Sequence, residues 1–151
     1  MTNEDLKIYL DQNFPEATIT EGPQYIEMTV NPTVLFETAS KLKKSTETQF
    51  DYLICLTGVD YPDCFGIVYH IESTKFRHTM VLKVKTADRV EPAIDTLTEV
   101  WQTAKYHERE VYDLLGVKFN NHTDLRRLFL EDGWGFPLRK DYVDEVRIIQ
   151  R

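Results

Sequence analysis

FDYLICLTGV at residues 50–59, FGIVYHI at residues 65–71 and TMVLKV at residues 79–84 decide the fold class. Each run is short and rich in β-branched or aromatic residues, which suits a pleated, partly buried strand. Asp60, Tyr61, Pro62 and Asp63 supply turn chemistry between the first two runs, and the second connection falls near Ser73, Thr74 and Lys75. Links this tight join antiparallel neighbours, because a parallel pair needs a long crossover. An antiparallel sheet is expected.

Outward from this core, Asn3 to Phe14 reads as a short helix. Asn3 is the expected cap, Glu4 and Asp5 suit the positive end, and Leu6, Tyr9 and Leu10 share a face. Gly22-Pro23 interrupts the chain, and Gln24 to Val30 alternates as a strand. Asn31-Pro32 opens a second helix that turns Val34, Leu35, Ala39 and Leu42 inward and ends at Lys43-Lys44. Val90 to Trp101 reads as a further helix, opening near Asp88 and Glu91-Pro92. The order α-β-α-β-β-β-α predicts an α+β fold, one antiparallel sheet with helices on one face. Residues 1–142 are expected to form one domain, and 143–151 an extended or loosely helical tail.

The chain has 151 residues, enough for a single core without staples. Its net charge of -7 lies in the body, since residues 126–151 are slightly basic. An acidic body argues against non-specific nucleic-acid binding and against direct contact with an anionic membrane surface. Cys55 and Cys64 do not form a Cys-x-x-Cys pair and are too few for an iron–sulfur cluster, so buried reduced thiols are expected. No apolar run approaches the ~20 residues of a membrane span. The acidic N-terminus lacks the character of a signal or transit peptide, so a cytoplasmic location is expected.

From Trp101 to Tyr142, charges, aromatics and glycines interleave more densely than elsewhere. The segment holds Glu108-Arg109-Glu110, Asp113, Leu114-Leu115, Gly116, His122 and Arg126-Arg127, then Pro137-Leu138-Arg139-Lys140-Asp141-Tyr142. This pattern resembles the signature of the C subunit, the 30 kDa subunit family, of proton-pumping NADH:quinone oxidoreductase, respiratory complex I. The resemblance implies an α+β domain of ferredoxin-like character, peripheral on the cytoplasmic side of the bacterial inner membrane. It implies no flavin, iron–sulfur cluster or quinone ligand in this chain. It also implies a scaffold role: bracing the neighbouring D subunit and the cluster-bearing subunits while the assembly passes electrons from NADH to quinone. Similar subunits serve membrane-bound nickel–iron hydrogenases and F420H2- or ferredoxin-driven complexes, which are the alternative reading.

On a helical wheel, Ala104, His107, Val111, Leu114 and Leu115 share one face of the signature helix. Lys105, Tyr106, Arg109, Glu110 and Asp113 lie opposite, and Gly116 is the expected left-handed stop. Arg109 and Asp113, four apart, can form a surface ion pair worth roughly a few tenths of a kcal/mol. Such a face is ordinarily solvated, but the resemblance makes Arg109, Glu110 and Asp113 an expected docking face. Glu108 sits at the edge of the apolar stripe. Burying it without a partner is costly, so a structural ion pair with Arg126, Arg127 or Arg139 is expected, with escape to solvent as the alternative.

Trp134, Phe136 and Tyr142 flank Leu138, Arg139 and Lys140. Aromatics beside arginine are typical interface anchors, so Trp134, Phe136, Arg139, Lys140 and Tyr142 are expected to bind the partner. A Trp134 wedged into the domain's own core is the alternative. Gly133-x-Gly135 lacks the strand–helix context of a phosphate cradle. His70, His78, His107 and His122 show no helical metal-ligand spacing, although His70 and His78 could face each other across a hairpin. His122 is expected to hydrogen-bond near Asp124 or Arg126. Glu108, Glu110, Asp113 and Asp124 have no accompanying nucleophile–base set, which disfavours a stand-alone enzyme. A generic binding module is the remaining class.

Overall fold

The computed structural model describes residues 1–144. Among the described residues three α-helices, α1 (Asn3–Asn13), α2 (Leu35–Lys44) and α3 (Ala104–Leu115), accompany seven strands. The strands are β1 (Thr18–Glu21), β2 (Ile26–Val30), β3 (Tyr52–Asp60), β4 (Phe65–Ser73), β5 (His78–Lys85), β6 (Ala93–Asp95) and β7 (Lys118–Asn120). The main sheet runs β1-β2-β5-β4-β3, and β6 and β7 form a separate two-stranded ladder. The α+β class is as expected. Of the expected tail at 143–151, residues 145–151 lie outside the described residues.

The β3–β4 and β4–β5 pairs are antiparallel, as the tight links require. The sheet as a whole is mixed, because β2 pairs with β5 in parallel, Ile26 against Met80 through Val30 against Val84. Between β2 and β5 the chain runs through α2 and the β3–β4 hairpin. No local link between β2 and β5 marks the pairing in the sequence. Strand β1, an antiparallel edge of four mostly exposed residues, is likewise unmarked because it carries little apolar signal.

One sheet face is continuous in its register. Ile26, Met28 and Val30 lie beside Met80, Leu82 and Val84, and these beside Ile71, Tyr69 and Ile67. All are buried, in one core with Leu6 and Leu10 of α1 and Leu35, Ala39 and Leu42 of α2. Helix α3 covers the β3 end of this face. Gly58 makes that approach feasible, since a Cβ there would stand 2.5 Å from Leu115 and 3.0 Å from Val111. A side chain at this position would push the helix off the sheet.

Local chemistry sets the helix ends. Helix α1 is capped by Thr2 rather than Asn3: the Thr2 hydroxyl accepts the Asp5 amide at 3.1 Å, and the Asp5 carboxylate accepts the Thr2 amide at 3.0 Å. Before α2, Asn31 caps a short 3-10 turn with Pro32 inside it, as the Asn-Pro pair predicts. Helix α3 stops at Gly116, whose φ of 77° is the left-handed conformation that glycine adopts at little cost.

The helix expected over Val90–Trp101 is not formed. Residues 93–95 are strand β6, paired in parallel with β7, and Leu97–Trp101 form a single turn closed by the Trp101 amide on the Leu97 carbonyl at 2.8 Å. Ile94, Leu97, Val100 and Trp101 are all buried. Their spacing of three and four imitates a helical stripe, although strand and turn deliver the same side chains to the core. Pairing with β7 supplies backbone hydrogen bonds that override the local pattern. Among the described residues no helix is long and apolar enough to cross a membrane.

Candidate interaction site

The signature residues meet where α3 carries the segment that follows β7. Their geometry differs from the expected docking face. Arg109 and Asp113 are 4% and 0% exposed, and both serve the protein's own fold. Asp113 accepts the amides of Phe129 at 2.7 Å, Leu130 at 3.1 Å and Leu128 at 3.3 Å, and the Arg127 guanidinium at 3.0 Å. Burial opposes its charge, but these donors prevail and hold the carboxyl below the usual range. Arg109 donates instead to the carbonyls of Arg126 at 3.2 Å and Arg127 at 2.9 Å. The surface Arg109–Asp113 pair is therefore replaced by two inward clasps on consecutive stretches of backbone. The wheel failed here because the side opposite the apolar stripe is covered by residues 122–130.

Further along, Arg139 donates to the Leu115 carbonyl at 2.7 Å and stacks over Phe65 and Phe136, 5.0 and 4.7 Å from the ring centroids. Phe136 is half-buried with Arg127 on it as well, 5.2 Å from its centroid. Arg139 and Phe136, expected to bind a partner, are thus engaged in fixing the loop to the end of α3. Asp60 completes the strapping: it binds Arg89 and accepts the Lys140 amide at 2.7 Å. Arg89 above all holds the Asp60 carboxyl below the usual range. Tyr142 is half-buried, and its hydroxyl donates to the Trp134 carbonyl at 3.3 Å.

Glu108 carries the largest correction. It bonds none of Arg126, Arg127 and Arg139. It is fully buried and binds the Leu97 amide at 2.8 Å and the Thr96 hydroxyl at 2.5 Å, tying the β6–α3 connection to the helix. The arginines face elsewhere: Arg126 reaches the exposed side of Asp124, Arg127 goes to Asp113, and Arg139 to Leu115. Burial pushes the Glu108 carboxyl up to about 7, opposed by the Thr96 and Leu97 hydrogen bonds. His122 does bond near Asp124, accepting the Asp124 amide at Nδ1 over 3.0 Å. His70 lies opposite Val81 and Cys55, and His78 opposite Ser73, so the two do not face each other. No cluster of three or more possible metal-ligating side chains occurs among the described residues.

What remains outward is a short series of apolar side chains on this strapped segment. Phe129, Trp134 and Leu138 are 68%, 53% and 60% exposed. Trp134 is not wedged into the core. The Lys140 side chain is exposed, and half-buried Glu110 lies with Leu114 and Leu138 along a shallow groove beside β3. Phe129 and Leu138 were absent from the expected anchors, and an unpatterned loop offers no periodicity that would mark them.

The model of the respiratory-chain NADH dehydrogenase 30 kDa subunit matches residues 28–146. The chain belongs to that family. The NADH-quinone oxidoreductase C subunit of Roseiflexus castenholzii is 38% identical over 147 residues, covering 93% of this chain and 84% of the relative. The NADH-quinone oxidoreductase C/D subunit of Phocaeicola vulgatus is 43% identical over 107 residues, covering 70% of this chain but 21% of that longer protein. Several family relatives are matched over less than half of their own length. The fold also matches a chain of an archaeal membrane-bound sulfane sulfur reductase, with a TM-score of 0.80 at 21% identity, covering 95% of this chain and 86% of that one.

Proposed function

We propose that this 30 kDa-family chain acts as the C subunit of a bacterial NADH:quinone oxidoreductase, as a scaffold that braces the D subunit in the hydrophilic arm. One observation carries this reading: in the Phocaeicola relative, the C and D subunits bear a single name as one protein, C/D. Two units joined in one chain are held at high effective concentration, which suits partners that must stay together. The docking surface in this reading is the outward side of the strapped segment, with Phe129, Trp134, Leu138 and Lys140 as its contacts. Burying a large apolar side chain contributes about 1.5–3 kcal/mol. The backbone beneath is already fixed by Asp113, Arg109, Arg139 and Asp60, so little ordering cost is left for association. In this role the chain is peripheral, on the cytoplasmic side, and electron transfer belongs to the cluster-bearing subunits it helps to hold.

The likeness to the sulfane sulfur reductase chain favours a second reading, an equivalent place in a related membrane-bound complex of the hydrogenase or F420H2/ferredoxin-driven kind. Affinity purification of the tagged chain from gently solubilised native membranes, with mass spectrometry, separates the two. Recovery of flavin and iron–sulfur subunits together with NADH:quinone activity is the expected result. Recovery of a nickel–iron subunit supports the second reading, and recovery of the chain alone contradicts both.

A further inference from the structure

One buried polar cluster plays no part in the docking surface. Glu108 Oε1 accepts the Leu97 amide, and Oε2 lies 2.5 Å from Thr96 Oγ1. Thr96 Oγ1 is 3.1 Å from Thr98 Oγ1 and accepts the Thr98 amide at 3.2 Å. Thr96 is buried and Thr98 half-buried, so two hydroxyls lead from the carboxyl towards the surface.

The titratable groups that face Glu108 from other elements bring it no positive charge. From β4, the Tyr69 hydroxyl is buried without a hydrogen-bond partner. Burial, and secondarily the field of Glu108, keep that hydroxyl protonated. From the segment after β7, His122 Nε2 stands 3.8 Å from Glu108 Oε2. That nitrogen is 3.0 Å from the Lys105 carbonyl and donates to it, while Nδ1 accepts the Asp124 amide at 3.0 Å. A ring that donates at one nitrogen and accepts at the other is the neutral imidazole. On α3 itself, Lys105 Nζ approaches Asp124 at 3.9 Å and Arg109 turns to the Arg126 and Arg127 carbonyls. Among the described residues, Glu108 has no cation.

An ionised carboxylate in that place is costly, whereas the neutral acid fits every contact. Protonated at Oε2, Glu108 accepts from Leu97 and donates to Thr96 Oγ1, which passes its own hydroxyl proton towards Thr98. On ionisation the Thr96 hydroxyl reverses and donates to Oε2. The same heavy atoms serve both states, so a proton can enter or leave without rebuilding the site. We propose that Glu108 is an internal proton-binding site that takes up and releases its proton within a fixed frame, with Thr96 as its direct proton partner and Thr98 as the outlet to solvent.

A carboxyl carbon-13 NMR titration of the full chain tests this. One glutamate signal is expected to titrate near pH 7 and to vanish in Glu108→Gln, whose amide reproduces the contacts of the neutral acid. Thr96→Val removes the hydroxyl that favours the charged form, so the midpoint should move further up, while Thr96→Ser should leave it near the wild-type value. Thr96→Ala serves in place of valine if the added methyl is not accommodated. Titration of Glu108 in the ordinary carboxylate range overturns the proton site. A midpoint unmoved by loss of the Thr96 hydroxyl overturns the role of Thr96.

Discussion

Asp113→Ala is expected to lower the stability of the chain by about 3–5 kcal/mol, the range for removing one partner of a buried ion pair. Asp113 lies at 0% exposure and accepts three consecutive amides, those of Leu128, Phe129 and Leu130, besides the Arg127 guanidinium. Alanine removes all four acceptor contacts and leaves three donors to find water beneath a covering loop. Arg127 keeps the Asp113 carbonyl at 3.0 Å and its stacking on Phe136, so the loop is loosened and not wholly freed. Asp113→Asn retains an acceptor oxygen but no charge and should lie between the two. Urea denaturation gives the stability, and hydrogen exchange should show amides 128–130 losing protection first. A loss under about 1 kcal/mol, the ordinary worth of an exposed pair, would return Asp113 to the solvated face that its wheel position suggests.

The second large effect is one of pH. The Glu108 carboxyl is raised from the ordinary 4.5 to about 7 in the folded chain. Between those values the folded state holds a proton that the unfolded state has released. The stabilisation is therefore fully present below pH 4.5, declines as pH rises towards 7, and is lost above it. At about 1.4 kcal/mol per pH unit the decline amounts to about 3 kcal/mol. Asp60 and Asp113 act in the opposite sense, since their carboxyls are lowered and their stabilisation is lost in acid, as pH falls below the usual carboxylate range. The difference between wild type and Glu108→Gln isolates the Glu108 contribution. Stability measured from pH 5 to pH 8 should fall in the wild type and stay nearly level in the variant. Parallel curves would mean that Glu108 is ionised throughout.

The β3–β4–β5 meander was legible because tight links and β-rich runs leave few other arrangements, and Gly116 because only a left-handed stop suits its place. The parallel β2–β5 pair was hidden because its partners lie far apart in sequence. The false helix at Val90–Trp101 arose because buried positions at 94, 97, 100 and 101 satisfy a helical stripe equally well. In the signature region the sequence does not report the direction in which its residues face. Arg109 and Asp113 are polar on the polar side of the wheel, and periodicity cannot report that a later loop covers that side. Glu108 stands out at the edge of the apolar stripe, yet its partners, an amide and a threonine hydroxyl, have no charge by which to be noticed. The signature is thus chiefly a set of internal clasps, which leave Phe129, Trp134, Leu138 and Lys140 outward.

The proposed scaffold role requires these clasps to display Trp134 and Leu138 to the D subunit. The most direct measurement compares the recovery of the D subunit with the tagged wild-type chain and with the Trp134→Ala/Leu138→Ala double variant, alongside the melting temperature of each. The account predicts at least a tenfold weaker capture of the D subunit, since two hot-spot side chains are worth more than about 1.4 kcal/mol together, with little change in melting temperature. Undiminished capture, or a loss explained by a collapsed melting temperature, would contradict it.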